Sequence, residues 1–123
     1  MKVIYTPNAP AAIGPYSQGM VSGSTAYCSG QIPVNPATGE VPEGITAQAE
    51  QSCKNVAAVL EAAGSGLDKI VKTTCFMDNM NDFAKMNEVY ASFFSGDYPS
   101  RSAVEVAKLP KGALIEIEAI AYL

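Results

Sequence analysis

The run Ala113–Leu123 constrains the fold more than any other part of this chain. Read as a strand, it places Ile115, Ile117, Ala119, Ala121 and Leu123 on one side and Leu114, Glu116, Glu118, Ile120 and Tyr122 on the other. Both sides carry apolar residues, so both faces of the sheet need cover. Helical periodicity occurs in only two places, which is enough for one face. The second face is therefore expected to meet another copy of the chain.

The clearest helix is expected over Ile45–Ala63. Ile45, Ala49, Cys53, Val56, Leu60 and Ala63 recur at three- and four-residue spacing, with Thr46 placed to cap the start and Gly64 to stop the end. A second helix is expected from a cap at Asn81 or Asp82 to about Phe94. Its stripe is Phe83, Met86, Tyr90 and Phe93, and Asn87 lies at the stripe's edge, where a buried amide needs a partner. Strands are expected at Lys2–Tyr5, Gln18–Val21, Ala26–Ser29, Ile70–Met77, Ser102–Ala107 and Ala113–Tyr122, with Ser22-Gly23-Ser24 as a hairpin turn. Pro7–Pro15 and Pro33–Gly44 read as ordered loops. This order predicts an α+β fold, with two helices on one face of a mixed sheet.

At 123 residues, with 48% hydrophobic residues, the chain fits one domain spanning 1–123 with a real core. The net charge is −4 and the eight basic residues form no run, which argues against a nucleic-acid partner. No apolar stretch approaches the roughly 20 residues of a membrane span. The first residues lack the pattern of a signal peptide, and the expected location is the cytoplasm. Cys28, Cys53 and Cys75 are far apart and read as small buried hydrophobes in a reducing compartment.

There is no histidine. That removes Ser-His-Asp and Cys-His catalysis and leaves no set of residues with metal-ligand spacing. Acid–base chemistry must then use Glu, Asp, Lys, Tyr or water. Two charges stand out where core is expected. Arg101 opens one strand-like run, and its planar fork suits a carboxylate. Glu116 lies inside the last strand among Leu114 and Ile120, where a half-buried carboxyl can take or give a proton. Glu118 follows on the same face at about 7 Å and reads as a salt-bridging neighbour.

Several strings together resemble the RidA family, also called YjgF, of reactive enamine/imine deaminases. They are Asn8-Ala-Pro-Ala-Ala-Ile-Gly-Pro-Tyr16-Ser-Gln-Gly, Ser29-Gly30-Gln31-Ile32-Pro33-Val34-Asn35-Pro36, Ile70-Val-Lys-Thr-Thr, Asn81-Asp82-Phe83-Ala84 and Pro99-Ser100-Arg101-Ser102 through Ile115-Glu116-Ile117. Their order and spacing cover nearly the whole chain. The resemblance implies a chorismate-mutase-like subunit of the bacillary type, six-stranded, in a trimeric barrel with sheets inward, helices outside and clefts between neighbours. It implies hydrolysis of 2-aminoacrylate and related 2-enamino or 2-imino acids to 2-oxo acids and ammonia, with no cofactor. Enzymes that use pyridoxal phosphate on serine or threonine generate such species.

Carried over by position, the resemblance assigns Arg101 to the substrate carboxylate, Glu116 to the water, and Tyr16 to the cleft wall. Ser29 and Gly30 become a close-approach wall, Asn87 an amide closing the pocket, and the Ala103 backbone amide a donor to a ligand oxygen. Many relatives carry cysteine where this chain has Ala103, which bears on thiol-dependent regulation and not on hydrolysis. Two other classes stand beside the deaminase: a non-catalytic trimer that binds 2-oxo acids, and a ribonuclease or translation inhibitor.

Overall fold

The computed structural model describes residues 1–123. Its strands are β1 (Lys2–Ile4), β2 (Gly19–Ser22), β3 (Thr25–Gln31), β4 (Ile70–Met77), β5 (Ser100–Glu105) and β6 (Ile115–Tyr122). Its helices are α1 (Ile45–Ala62) and α2 (Phe83–Ser92). All six strands join one sheet in the order β1-β2-β3-β6-β4-β5. Only β4 and β5 run parallel, so the sheet is mixed, as the element order predicted.

The apolar stripe of α1 packs Ile45, Ala49, Cys53, Val56, Val59 and Leu60 against the sheet, all of them buried. They meet Ile115, Ile117, Ala119 and Ala121 of β6, with Cys75 and Met77 of β4 and Met86 and Tyr90 of α2, in one core cluster. Leu60 is wholly buried, so Leu60→Ala costs about 2–5 kcal/mol.

The helix ends differ from the sequence reading. Thr46 does not cap α1. The cap position is Gly44, whose φ of 85° is in the left-handed region, and no side chain completes it. The stop at Gly64 holds: its φ is 83°, its N–H donates to Glu61 O at 3.0 Å, and the Ser65 N–H donates to Leu60 O at 2.8 Å. Asp82 holds the N-cap position of α2, one of the two expected, but its side chain makes no capping hydrogen bond. Asn79 instead accepts from the Asn81 N–H at 2.8 Å and closes a 3-10 turn, Met80–Asp82, that feeds the helix.

Three buried amides missed in the sequence tie loops to this frame. Asn55 donates to Ile32 O at 3.1 Å and Val34 O at 2.9 Å. Gln48 donates to Pro42 O at 2.9 Å and accepts from the Leu114 N–H at 2.8 Å. Between them they hold the proline-rich segment against α1. Gln18 does the same for the N-terminal loop, as described below.

Both helices lie on one face. The opposite face, read from the strand register, carries Met20 and Tyr27 of β2 and β3, Phe76 of β4, Val104 of β5 and Ile120 of β6. Tyr27 and Val104 are 47% and 45% exposed. Glu116 and Glu118 project from the same face. No helix is long and apolar enough to cross a membrane.

Candidate active site

Arg101 lies on β5, the edge strand, directly opposite Thr73 of β4. Thr73 is buried toward the helices, and Arg101 shares that side. Its guanidinium donates to Asn87 Oδ1 at 2.7 Å. That contact supplies the partner the Asn87 amide required. Carbon Cζ stands 4.8 Å from the centre of the Tyr90 ring and 5.2 Å from that of Phe83. Both distances are in the range of cation–π attraction. Tyr90 is fixed in turn by a 2.7 Å hydrogen bond to Thr73 Oγ1. No carboxylate meets Arg101: the only ion pair in the chain joins Lys54 to Glu50 on the surface of α1. The guanidinium lines a cavity of about 400 Å³ with Asn87, Tyr90, Ala91, Tyr98 and Pro99. Ala103 lies two residues along β5, opposite buried Cys75, on the Arg101 side of the strand.

Glu116 belongs to a different half. It pairs with Phe76, on the sheet face the helices leave bare. It lines a cavity of about 790 Å³ that also holds Tyr16, Gln18, Ser29, Gly30 and Lys111. Burial first, and then the neighbouring Glu118 carboxylate, push the Glu116 carboxyl above its usual range. Glu118 meets no cation, so the expected salt bridge at that position is not made. Two carboxyls on one face therefore share this cavity, and Glu116 is the one whose proton is held more tightly than usual.

Gly30 explains the closeness of this packing. A methyl group there would collide with Glu116 Oε1, and would lie 2.8 Å from Cδ and 3.1 Å from Cγ. The carboxyl group rests on bare backbone that only glycine exposes. Ser29 beside it donates its hydroxyl to Ser17 O at 2.6 Å, so it serves as a tie as well as a wall.

Tyr16 is half exposed on the N-terminal loop, its hydroxyl 3.4 Å from the Ile13 N–H. That loop is gathered by Gln18, whose amide donates to Thr6 O at 3.0 Å, Ala9 O at 3.3 Å and Pro10 O at 2.8 Å. The same amide accepts from the Thr6 N–H at 2.8 Å. Lys111 adds the one non-glycine residue with positive φ, 56°. Such a conformation costs on the order of 1–3 kcal/mol, and here it turns the chain from a 3-10 turn toward β6.

The structure thus brings Arg101 together with Asn87 and Ala103, and Glu116 together with Tyr16, Ser29 and Gly30. It does not bring the two sets together within one chain, because they project from opposite faces of the sheet. Strand alternation gave the side of each residue within its own strand. It could not give the register between β5 and β6, which β4 separates. Phe83 and Tyr90 were read only as an apolar stripe, and their contact with Arg101 had no sequence signal.

The thiols are poor nucleophiles. Cys28 and Cys53 are pushed up to about 12 and Cys75 to about 11, each mainly by burial. No group of three or more Cys, Asp or Glu side chains is placed to hold a metal ion.

Known proteins match this arrangement over its whole length. The family model described as endoribonuclease L-PSP matches residues 6–123. The 2-iminobutanoate/2-iminopropanoate deaminase of Escherichia coli strain K12 is 58% identical over 123 residues, 98% of this chain and 96% of the relative. The crystal structure of E. coli TdcF with bound serine superposes with a TM-score of 0.97 at 51% identity, covering 100% of this chain and 99% of that one. The 1.2 Å structure of the E. coli YjgF gene product gives a TM-score of 0.97 at 57% identity, covering 99% of this chain and 98% of that one. The chain belongs to the endoribonuclease L-PSP family, which is the RidA (YjgF) family its motifs resemble.

Proposed function

We propose that the protein hydrolyses 2-imino acids such as 2-iminopropanoate, the tautomer of 2-aminoacrylate, to 2-oxo acids and ammonia. The site lies in clefts between three copies of the chain in the cytoplasm. Arg101, Asn87 and the Ala103 amide come from one copy, and Glu116, Tyr16, Ser29 and Gly30 from its neighbour. The observation that carries this reading is the Arg101 guanidinium: held by Asn87 and two rings, yet facing no carboxylate in its own chain. A cation arranged in this way is a receptor for an external anion. The relative named for the same deamination supports the reaction, and the relative that holds serine supports a small carboxylate ligand.

The chemistry follows from the two halves. Arg101 binds the substrate carboxylate in plane by paired hydrogen bonds. This leaves the imine carbon directed at the neighbour's Glu116. Glu116 in its ionised form takes a proton from water as the oxygen adds to the carbon of the protonated imine, giving a neutral carbinolamine. The same carboxyl gives that proton to nitrogen, the C–N bond breaks as ammonia leaves, and the hydroxyl proton returns to Glu116 as the carbonyl forms, to be passed on to the ammonia. The raised affinity of Glu116 for protons suits a group that must both accept and donate a proton in one turnover. Such help contributes typically 10²–10⁴-fold. The bare, partly apolar sheet face supplies the surface that neighbouring copies would cover. A thiol has no step here, so alanine at 103 is compatible with the reaction.

The test is direct. A serine dehydratase is used to generate 2-aminoacrylate, and pyruvate is followed with and without the protein. Acceleration that disappears in Arg101→Ala supports the reading. An unchanged rate with the wild-type protein would remove it.

A further inference from the structure

The aromatic residues around Arg101 bear on which anion it accepts, an inference that rests on Arg101 being the carboxylate receptor. Phe83 and Tyr90 are seven residues apart on α2, close to two turns, a rise of about 10 Å. The guanidinium carbon is 5.2 Å from one ring centre and 4.8 Å from the other, so both rings are in contact with it. Asn87 lies on the same helix face between the two rings and takes one N–H at 2.7 Å. The Tyr90 ring cannot drift, because its hydroxyl is locked 2.7 Å from Thr73, the residue that pairs with Arg101 across the strands. Arg101 also lines the cavity bounded by Tyr98 and Pro99, and Asn87 is its one hydrogen-bond partner in the chain.

We propose that Phe83 and Tyr90 are positioning residues that bracket the guanidinium and make the receptor selective for planar carboxylates over tetrahedral oxyanions of equal charge. A free arginine binds both classes, since phosphate oxygens also match its fork. An arginine bracketed by rings offers only its edge. A planar carboxylate lies in that edge plane, whereas a tetrahedral group must push an oxygen above or below it, against a ring.

The test compares pyruvate with methyl acetylphosphonate, a monoanionic tetrahedral analogue, by calorimetric titration of the intact protein. The wild type is expected to bind pyruvate at least roughly tenfold more tightly, as edge-on bidentate geometry demands. Phe83→Leu keeps an apolar side chain at a partly buried position and is expected to reduce the ratio to below about threefold by weakening pyruvate and admitting the phosphonate. Tyr90→Leu is expected to do the same, and Tyr90→Phe, which keeps the ring, to restore most of the selectivity. A general loss of packing would weaken both ligands together and leave the ratio alone. An unchanged ratio in folded Phe83→Leu overturns the bracket. If pyruvate binding survives Arg101→Ala, it is the receptor reading itself that fails, and the two failures are thereby separate.

Discussion

Adding one methyl group at Gly30 should disable Glu116 while leaving the fold in place. In Gly30→Ala the new carbon would overlap Glu116 Oε1 and lie 2.8 Å from Cδ and 3.1 Å from Cγ. Ordinary carbon contacts are about 3.5–4.0 Å, so the carboxyl group must retreat by about 1 Å. It is the end of a flexible side chain in a cavity, and it has room to move. The stability cost is therefore small, on the order of 1 kcal/mol and a few degrees of Tm. Catalysis is less forgiving. A displacement of about 1 Å at a reacting group costs on the order of 10²-fold, or about 2.7 kcal/mol of transition-state stabilisation. Steady-state deamination and 2-oxobutyrate affinity measured on the same preparation separate the two effects. The expected outcome is kcat lowered about a hundredfold with affinity changed less than about threefold, since Arg101 is untouched. Gly19→Ala is the contrast, because its methyl would meet Val59 Cγ1 at 2.9 Å and the Tyr27 carbonyl oxygen at 3.1 Å, and there stability should suffer more. A Gly30→Ala protein that deaminates at the wild-type rate would refute the role given to Glu116.

Arg101→Lys should recover little of the activity lost in Arg101→Ala, because an ammonium supplies charge without the planar fork; matching kcat/KM for lysine and arginine would contradict this. The acid limb of the pH–rate profile should rise as pH passes the elevated Glu116 pKa, since the ionised form is the base. Glu118→Gln removes a negative neighbour, lowers that pKa and should move the limb to lower pH. The native protein should react slowly with a thiol reagent at pH 7.5, and all three cysteines should react once it is unfolded in guanidinium, because burial holds them protonated.

Where one element carries its own evidence, the sequence was a sufficient guide. Strand β4 was read at Ile70–Met77 and spans those residues, because β-branched and apolar residues fill it between polar turns. The α1 stripe and its Gly64 stop were equally legible. Caps were not: Gly44 begins α1 through backbone conformation alone, and Thr46 lies inside the helix. Strand β5 starts two residues earlier than read, at Ser100, since its parallel pairing with β4 is a long-range fact. Gln48 and Asn55 had a usable signal, the same edge-of-stripe position that drew attention to Asn87. The placement of Arg101 and Glu116 on opposite faces of the sheet had none, since it depends on the register of strands that are not neighbours.

That placement makes subunit mixing the most direct test of the central claim. Arg101→Ala and Glu116→Gln chains, each inactive alone, are unfolded together, refolded at equal proportions and assayed. If Arg101 and Glu116 serve one substrate from different copies, half the chains supply an intact Arg101 and half an intact Glu116. Random association then restores about a quarter of the clefts, and with them about a quarter of wild-type activity. A mixture no more active than the separate variants, with assembly intact, would contradict a site built between copies.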